Sequence, residues 1–170
     1  MTTTQMDTGR FWSIVDATCV ATNQDDQLNL LAEQLSRLSQ ADLLAYHARY
    51  HQTLADANRW DLWGAAYVIN GGCGDDGFRY FRDWLISCGR KVYEDALSDP
   101  QSLARYAPDM DGAEAEFESF CYVADEVHEE RFGSPIEQEV PDAEGEPVGQ
   151  PWDEDEVYEM FPELASAYDN

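Results

Sequence analysis

Residues Trp60–Arg90 read WDLWGAAYVINGGCGDDGFRYFRDWLISCGR, and this stretch decides the fold. It contains three of the five tryptophans and three of the nine arginines of the chain. Trp60–Asn70 is apolar around most of its circumference, which predicts a helix buried at the centre of a bundle. Gly71-Gly72 predicts the end of that helix, because glycine readily takes the left-handed conformation of a helix C-terminus. A second helix is predicted over about residues 75–88.

Helical patterns continue on both sides of this stretch. Upstream, apolar residues recur every three or four positions, as at Leu28, Leu31 and Leu35. Downstream, residues 112–132 predict a long acidic helix. Residues 133–151 are rich in proline, glycine and acidic side chains, which predicts an extended loop. We call residues 133–151 the acidic strap.

These patterns together predict an all-α fold. We expect a single-domain helical bundle of about seven helices over residues 7–168, with the acidic strap as a long Pro/Gly-containing C-terminal loop within it. Residues 1–6 are expected to be disordered. A chain of 170 residues is long enough to bury one core of useful size.

The charge of the chain is strongly negative and unevenly distributed. The formal net charge is −25. Residues 1–100 hold 8 basic and 14 acidic residues, a net of −6, whereas residues 101–170 hold 2 basic and 21 acidic, a net of −19. Nucleic acids and anionic membranes need positive charge facing them, so we expect neither as a partner. A basic protein or peptide partner is one explanation of the charge, and mimicry of a nucleic-acid surface is a second; the third is solubility or a high-salt habitat.

The termini and cysteines carry no targeting or metal signal. No apolar run approaches the ~18–20 residues that span a bilayer, and the first residues lack the features of a secretion signal. We therefore expect a cytoplasmic protein. The four cysteines lack the close spacing of a zinc site, so no metal or cofactor is predicted.

The adjacent carboxylates Asp75 and Asp76 form the first candidate site. Two crowded carboxylates can hold a metal or divide acid and base roles, because their repulsion drives their pKa values apart. A carboxylate at the start of a helix also accepts backbone N–H bonds, so capping the helix at residue 75 or 76 is the alternative.

The arginines that follow form the second candidate site. Arg79 and Arg82 are three residues apart and share a helix face. Together with Arg90 they can bind a carboxylate or phosphate. The alternative is internal ion pairing with Asp61, Asp83 or the strap. The complete set of candidate ligand-binding residues is Asp61, Asn70, Asp75, Asp76, Arg79, Arg82 and Arg90.

Histidine and aromatic residues offer two further candidates. His47 and His51 are four residues apart and can face one metal, but the acidic residue of a zinc-protease helix is missing between them, so we interpret them as ordinary helix residues. A set of aromatic side chains can line a groove between the two central helices or form core: Trp60, Trp63, Tyr67, Phe78, Tyr80, Phe81 and Trp84. Trp152 is expected to anchor the strap onto the bundle.

The Trp60–Arg90 stretch resembles the signature of a mainly bacterial family catalogued as domain of unknown function 4240. The shared pattern is W-D-L-W-G-A-A-Y-x-I-N-G-G-C-x-D-D-G-F-x-Y-F-R-x-W-L-I-x-x-G-R, and the likeness extends over roughly residues 7–168. Serine is expected before the two aspartates, where this chain has Gly74. The resemblance implies a fold family and a bacterial origin, and it implies no activity.

Two functional hypotheses follow, and they predict different structures. The first is a non-catalytic interaction protein that presents its acidic C-terminal half to a cationic protein; it requires the arginines to be used in internal pairs. The second is an enzyme or small-ligand receptor that binds an anionic ligand at Asn70–Arg90. That hypothesis requires a partly apolar cavity reached by at least two of the arginines and one aspartate.

Overall fold

The chain folds into helices that are connected by short loops, apart from the acidic strap. The computed structural model describes residues 4–110 and 115–168. Within these ranges there are nine α-helices, one 3₁₀ helix and no strand, which confirms the all-α prediction. The elements are α1 (Thr8–Thr18), α2 (Gln24–Ser36), α3 (Gln40–Asp56), α4 (Trp60–Asn70), α5 (Asp75–Ser87), α6 (Arg90–Ser98), the 3₁₀ helix (Pro100–Met110), α7 (Glu118–Phe132), α8 (Val157–Met160) and α9 (Pro162–Ala167).

The first three helices start at polar cap residues. The side chains of Asp7, Asn23 and Ser39 each accept a hydrogen bond from the backbone N–H three residues ahead. Such a bond satisfies one of the N–H groups that a helix start leaves without an intrahelical partner. These caps fix where α1, α2 and α3 begin.

Helices α4 and α5 form a hairpin joined by a glycine turn. Gly71 has φ 68 and ends α4 in the left-handed conformation, with its N–H bonded to the carbonyl of Tyr67. Helix α5 begins at Asp75, and Gly74 is its N-cap. The two aspartates therefore lie in the first turn of α5 and not at the capping position considered above. In the first turn their negative charge interacts favourably with the helix dipole.

The hairpin forms part of one continuous core. Buried residues of α4 include Leu62, Ala65 and Val68, and those of α5 include Phe81 and Leu85. Helix α4 packs against α5, the 3₁₀ helix, α8 and α9, whereas α5 also packs against α1, α3 and α7. The hairpin thus connects the N-terminal and C-terminal halves of the molecule.

The C-terminal third differs from its predicted boundaries. Helix α7 starts at Glu118, later than the predicted start at residue 112, and part of that prediction lies outside the described residues. Just before α7, the N–H of Phe117 bonds to the carbonyl of Tyr80 at 3.0 Å, which holds this segment against α5. After the strap the chain forms two short helices, α8 and α9, because Pro162 cannot continue a helix and begins α9 instead.

The N-terminus is ordered closer to its end than predicted. Disorder was expected for residues 1–6, but Met6 is 4% exposed. Its N–H bonds to the carbonyl of Ala45 at 3.0 Å, and its carbonyl accepts from Nε of Arg49 at 2.8 Å. These contacts with α3 fix Met6; residues 1–3 lie outside the described ranges. None of the described helices has the length and apolar character needed to cross a membrane.

Candidate functional site

The acidic strap lies across the start of α4. The N–H of Val148 donates to the carbonyl of Asn58 at 3.0 Å, and the carbonyl of Val148 accepts from the N–H of Trp60 at 2.9 Å. The side-chain amide of Asn58 donates to the carbonyl of Gly145 at 2.9 Å. Backbone bonds of this kind set the position of the strap independently of its side chains.

Arg82 links the strap to the buried core through hydrogen bonds. Its side chain is almost fully buried, and its Nη1 donates to the carbonyls of Leu54 at 3.0 Å and Ala143 at 2.6 Å. Its guanidinium carbon lies 4.6 Å from the ring centre of Phe78. Burial, and next the nearby charge of Arg79, lower the pKa of Arg82 to about 10, so it stays charged at neutral pH.

Arg79 is also used in internal contacts. Its Nη1 lies 3.0 Å from a carboxylate oxygen of Glu144 in the strap, and its Nε lies 3.7 Å from Asp83. Its Nη2 donates to the sulfur of Cys121 at 3.1 Å. Arg79 therefore joins α5 to both the strap and α7, as the internal-pairing alternative anticipated.

Trp152 anchors the far end of the strap. Its Nε1–H donates to the carbonyl of Trp60 at 2.7 Å. Its ring stands nearly perpendicular to those of Trp60 and Trp63, with ring centres 6.3 Å apart in both cases. A Cβ added to Gly64 would lie 3.1 Å from Nε1 of Trp152 and 2.8 Å from the ring of Phe161. The indole fits because α4 carries no side chain at position 64.

Three aromatic rings form a parallel stack along the hairpin. Trp60 and Trp63 are 5.1 Å apart and 3° from parallel, and Trp63 and Phe78 are 5.1 Å apart and 7° from parallel. Arg82 closes the stack at Phe78. Because Trp152 is equidistant from the two indoles, it lies beside the pair and leaves the outer face of Trp60 uncovered by any described ring.

A cavity of about 550 Å³ lies between this hairpin and the strap. Its volume is within the ~300–1,000 Å³ typical of small-molecule sites. It is lined by Asn58, Trp60, Trp63, Asp75, Asp76, Phe78, Arg82, Glu144, Gly145, Glu146 and Pro147. One wall is therefore aromatic, and the rest is mainly acidic.

The charges that line the cavity are predominantly negative. Four carboxylates and one guanidinium give a formal charge of −3. Glu144 is paired with Arg79. Asp75, Asp76 and Glu146 are exposed, and their carboxylates have no hydrogen bond or ion pair with any residue that the structure describes. Their negative charge is therefore available to a ligand.

The remaining candidate residues do not converge on this cavity. Asp61 pairs with Arg59 at 2.6 Å. The side-chain oxygen of Asn70 accepts from the N–H of Ala115 at 2.8 Å. Arg90 is half-exposed and pairs with Glu94 on its own helix at 2.8 Å. Of the seven candidates, Asp75, Asp76 and Arg82 line the cavity. Only one of the three candidate arginines therefore reaches it, whereas the anion-binding hypothesis requires at least two.

A buried polar cluster surrounds Asp83 of α5. Asp83 is fully buried and accepts a 2.7 Å hydrogen bond from the hydroxyl of Tyr50. Burial raises the pKa of Asp83 to about 7, although Tyr50, Arg79 and Arg82 act in the opposite direction. Sequence reasoning named Asp83 as an arginine partner but could not show its complete burial.

The two histidines of α3 belong to the same buried region. The rings of His47 and His51 are 4.5 Å apart. Burial lowers the pKa of both, that of His51 to about 4, so both are neutral at pH 7. Across residues 4–110 and 115–168, no group of three or more His, Cys, Asp or Glu side chains is arranged to hold a metal ion.

Sequence reasoning missed the wall of the cavity that the strap provides. Asn58, Glu144 and Glu146 are not among the candidates, although the sequence shows that the strap is acidic and rich in proline. Composition shows that a segment is extended and charged, but it does not show where the segment docks. The aromatic set proposed for a groove contributes Trp60, Trp63 and Phe78, and the remaining members lie elsewhere.

The architecture defines an all-α protein with an acidic aromatic cavity. The model of a family described as "Protein of unknown function (DUF4240)" matches residues 6–130, and the chain belongs to this family. The match ends before the acidic strap, so the family model covers one wall of the cavity and not the other. No curated protein and no solved structure gave a significant match to the chain.

Proposed function

We propose that this protein is a non-catalytic binding protein whose partner is a cationic protein. The observation that carries the proposal is that the arginines next to the cavity are engaged in contacts within the protein. Arg79 and Arg82 are used in internal contacts that hold the strap, whereas the carboxylates of Asp75, Asp76 and Glu146 line the cavity without partners in the described ranges. The cavity is therefore suited to a positive group and unsuited to a phosphate or carboxylate.

The acidity of the C-terminal half supports the same proposal. Residues 101–170 carry a net charge of −19. Exposed carboxylates of the segment after the strap, such as Glu154 and Asp155, make no side-chain hydrogen bond or ion pair with described residues. Complementary charge speeds encounter with a cationic partner and selects against anionic ones.

The test is calorimetric titration with an arginine- and lysine-rich peptide. We expect saturable one-to-one binding that weakens as salt rises, because exposed charges are screened. Glu154→Gln/Asp155→Asn should weaken binding more than Asp25→Asn/Glu33→Gln, which removes the same charge from α2. Equal effects of the two double variants would mean non-specific attraction and would contradict the proposal.

An anionic ligand is the opposing outcome. A thermal-shift screen with inorganic phosphate, sugar phosphates and nucleotides should leave the melting temperature unchanged. A ligand present at a hundred times its Kd stabilises the folded state by about 2.7 kcal/mol, which such a screen detects. Saturable stabilisation by any of these anions would replace the proposal with that of an anion receptor or enzyme.

A further inference from the structure

The cavity between the α4–α5 hairpin and the strap has the chemistry of a site for a single organic cation. We propose that it binds an arginine side chain of a basic peptide, with the guanidinium against Trp60 and the carboxylates around it. This inference rests on the proposed function, since it names the group by which the cationic partner is recognised and the place where that group binds.

The first argument is electrostatic. Asp75 and Asp76 approach the cavity from the start of α5, and Glu146 approaches it from the strap. Carboxylates from two walls surround a cation better than a cluster on one surface, and a bound guanidinium can bond to more than one of them. Arg82, the cation of the cavity wall, already donates to the carbonyls of Leu54 and Ala143.

The second argument is the aromatic wall. Trp60 ends the parallel stack, and its outer face carries no described ring. Tryptophan is the best aromatic partner for a cation within about 6 Å of its ring centre. A guanidinium is planar and weakly hydrated, so it stacks on an indole more readily than an ammonium does. This geometry favours arginine over lysine.

The test is an NMR titration of the full chain that follows its indole N–H resonances. N-acetyl-L-arginine amide should shift the Trp60 and Trp63 resonances saturably. N-acetyl-L-citrulline amide, which has nearly the same shape and no charge, should bind at least ~10-fold more weakly. Equal binding of the two would overturn the inference, and so would tighter saturation of the same resonances by CaCl₂ or by inorganic phosphate.

Variants locate the site. Asp76→Asn/Glu146→Gln should weaken arginine-amide binding ~5–20-fold, because each carboxylate contributes a charge-assisted contact. Trp60→Leu should weaken it at least ~5-fold. Asp25→Asn/Glu33→Gln on α2 should leave the affinity unchanged. Circular dichroism and melting temperatures check that each variant is folded. An unchanged affinity in the folded Asp76/Glu146 variant would refute the placement.

The inference and the proposed function fail in different ways. If the basic peptide binds and responds to Glu154 and Asp155 but not to Asp76 and Glu146, the cationic partner stands and this cavity is not its site. If neither the basic peptide nor the arginine amide binds, both are wrong. If the amide binds and the cavity variants weaken amide and peptide alike, both are supported.

Discussion

Asp83 shows how one buried carboxyl can set the pH dependence of stability. It is fully buried within hydrogen-bond distance of Tyr50, and burial raises its pKa to about 7. An unfolded aspartate has a pKa near ~3.9. The folded state therefore binds this proton more tightly, and the contribution of Asp83 to stability falls as pH rises from about 4 to about 7.

We predict that Asp83→Asn removes this fall in stability, because asparagine cannot ionise. Relative to the wild type, the variant should gain on the order of 4 kcal/mol as pH rises through this range, from a pKa difference of about three. Urea unfolding at several pH values measures the effect. The low pKa of His51 makes stability rise with pH instead, but it is common to both proteins and cancels in the comparison.

The control for this prediction is Asp25→Asn on α2, which is exposed. Its free energy of unfolding should follow the wild-type pH dependence. If the Asp83→Asn and wild-type curves run parallel from pH 4 to 7, the folded protein does not hold this proton, and the pH argument is wrong.

At the level of elements, the packing of Trp152 on α4 depends on a missing side chain. Gly64→Ala would place a methyl 2.8 Å from the ring of Phe161 and 3.1 Å from Nε1 of Trp152. Both rings would have to shift away from the helix. We predict a loss of ~1–3 kcal/mol in the free energy of unfolding, the usual cost of overpacking a core.

Gly74→Ala provides the matched control in the same hairpin. A Cβ at position 74 meets no atom within 4 Å, and Gly74 does not have a positive φ. Urea denaturation should show a change of less than ~1 kcal/mol for this variant. Similar losses for the two glycine variants would show that contact with Trp152 and Phe161 does not account for the effect at Gly64, since replacing glycine by alanine reduces the entropy of the unfolded chain and by itself favours folding.

The helices could be predicted from the sequence to a large extent, and the site only in part. Caps at Asp7, Asn23 and Ser39, and the glycine turn after α4, are local signals that act within a few residues. The cavity depends on contacts between positions far apart in the chain, such as Arg82 with Ala143 at 2.6 Å. Periodicity and composition carry no information about such pairings.

Asp75 and Asp76 show which part of the site can be predicted from the sequence and which part cannot. The sequence places them at the start of a helix, which is correct. It does not show that the strap brings Glu144 and Glu146 to the opposite wall. Arg82 was misleading for the same reason, because its partners are the backbone carbonyls of Leu54 and Ala143, and the sequence does not single out a backbone carbonyl as a partner.

For the whole molecule, the excess of negative charge predicts self-repulsion. The formal charge is −25, and it is concentrated in residues 101–170. We predict that the melting temperature rises by several degrees between ~0.02 and ~0.5 M NaCl, because screening weakens repulsion among exposed carboxylates. Surface pairs such as Lys91–Asp95 lose strength as well, but each contributes little.

Differential scanning fluorimetry in NaCl measures this effect. Potassium fluoride at equal ionic strength should act similarly, which separates screening from specific ion binding. A melting temperature that falls with salt would mean that ion pairs outweigh repulsion. That result would remove excess negative charge as a factor in the stability of this protein.

The order of the strap and the hairpin along the chain has a consequence during synthesis. Trp60 and Trp63 leave the ribosome long before Trp152, which packs beside them. At a synthesis rate of roughly 5–20 residues per second, several seconds or more pass before Trp152 is made and can pack against their indoles. During that interval the nascent chain exposes an aromatic surface that is buried in the folded protein. Transiently exposed hydrophobic surface of this kind promotes aggregation and is bound by chaperones, so we expect chaperone binding until translation is finished.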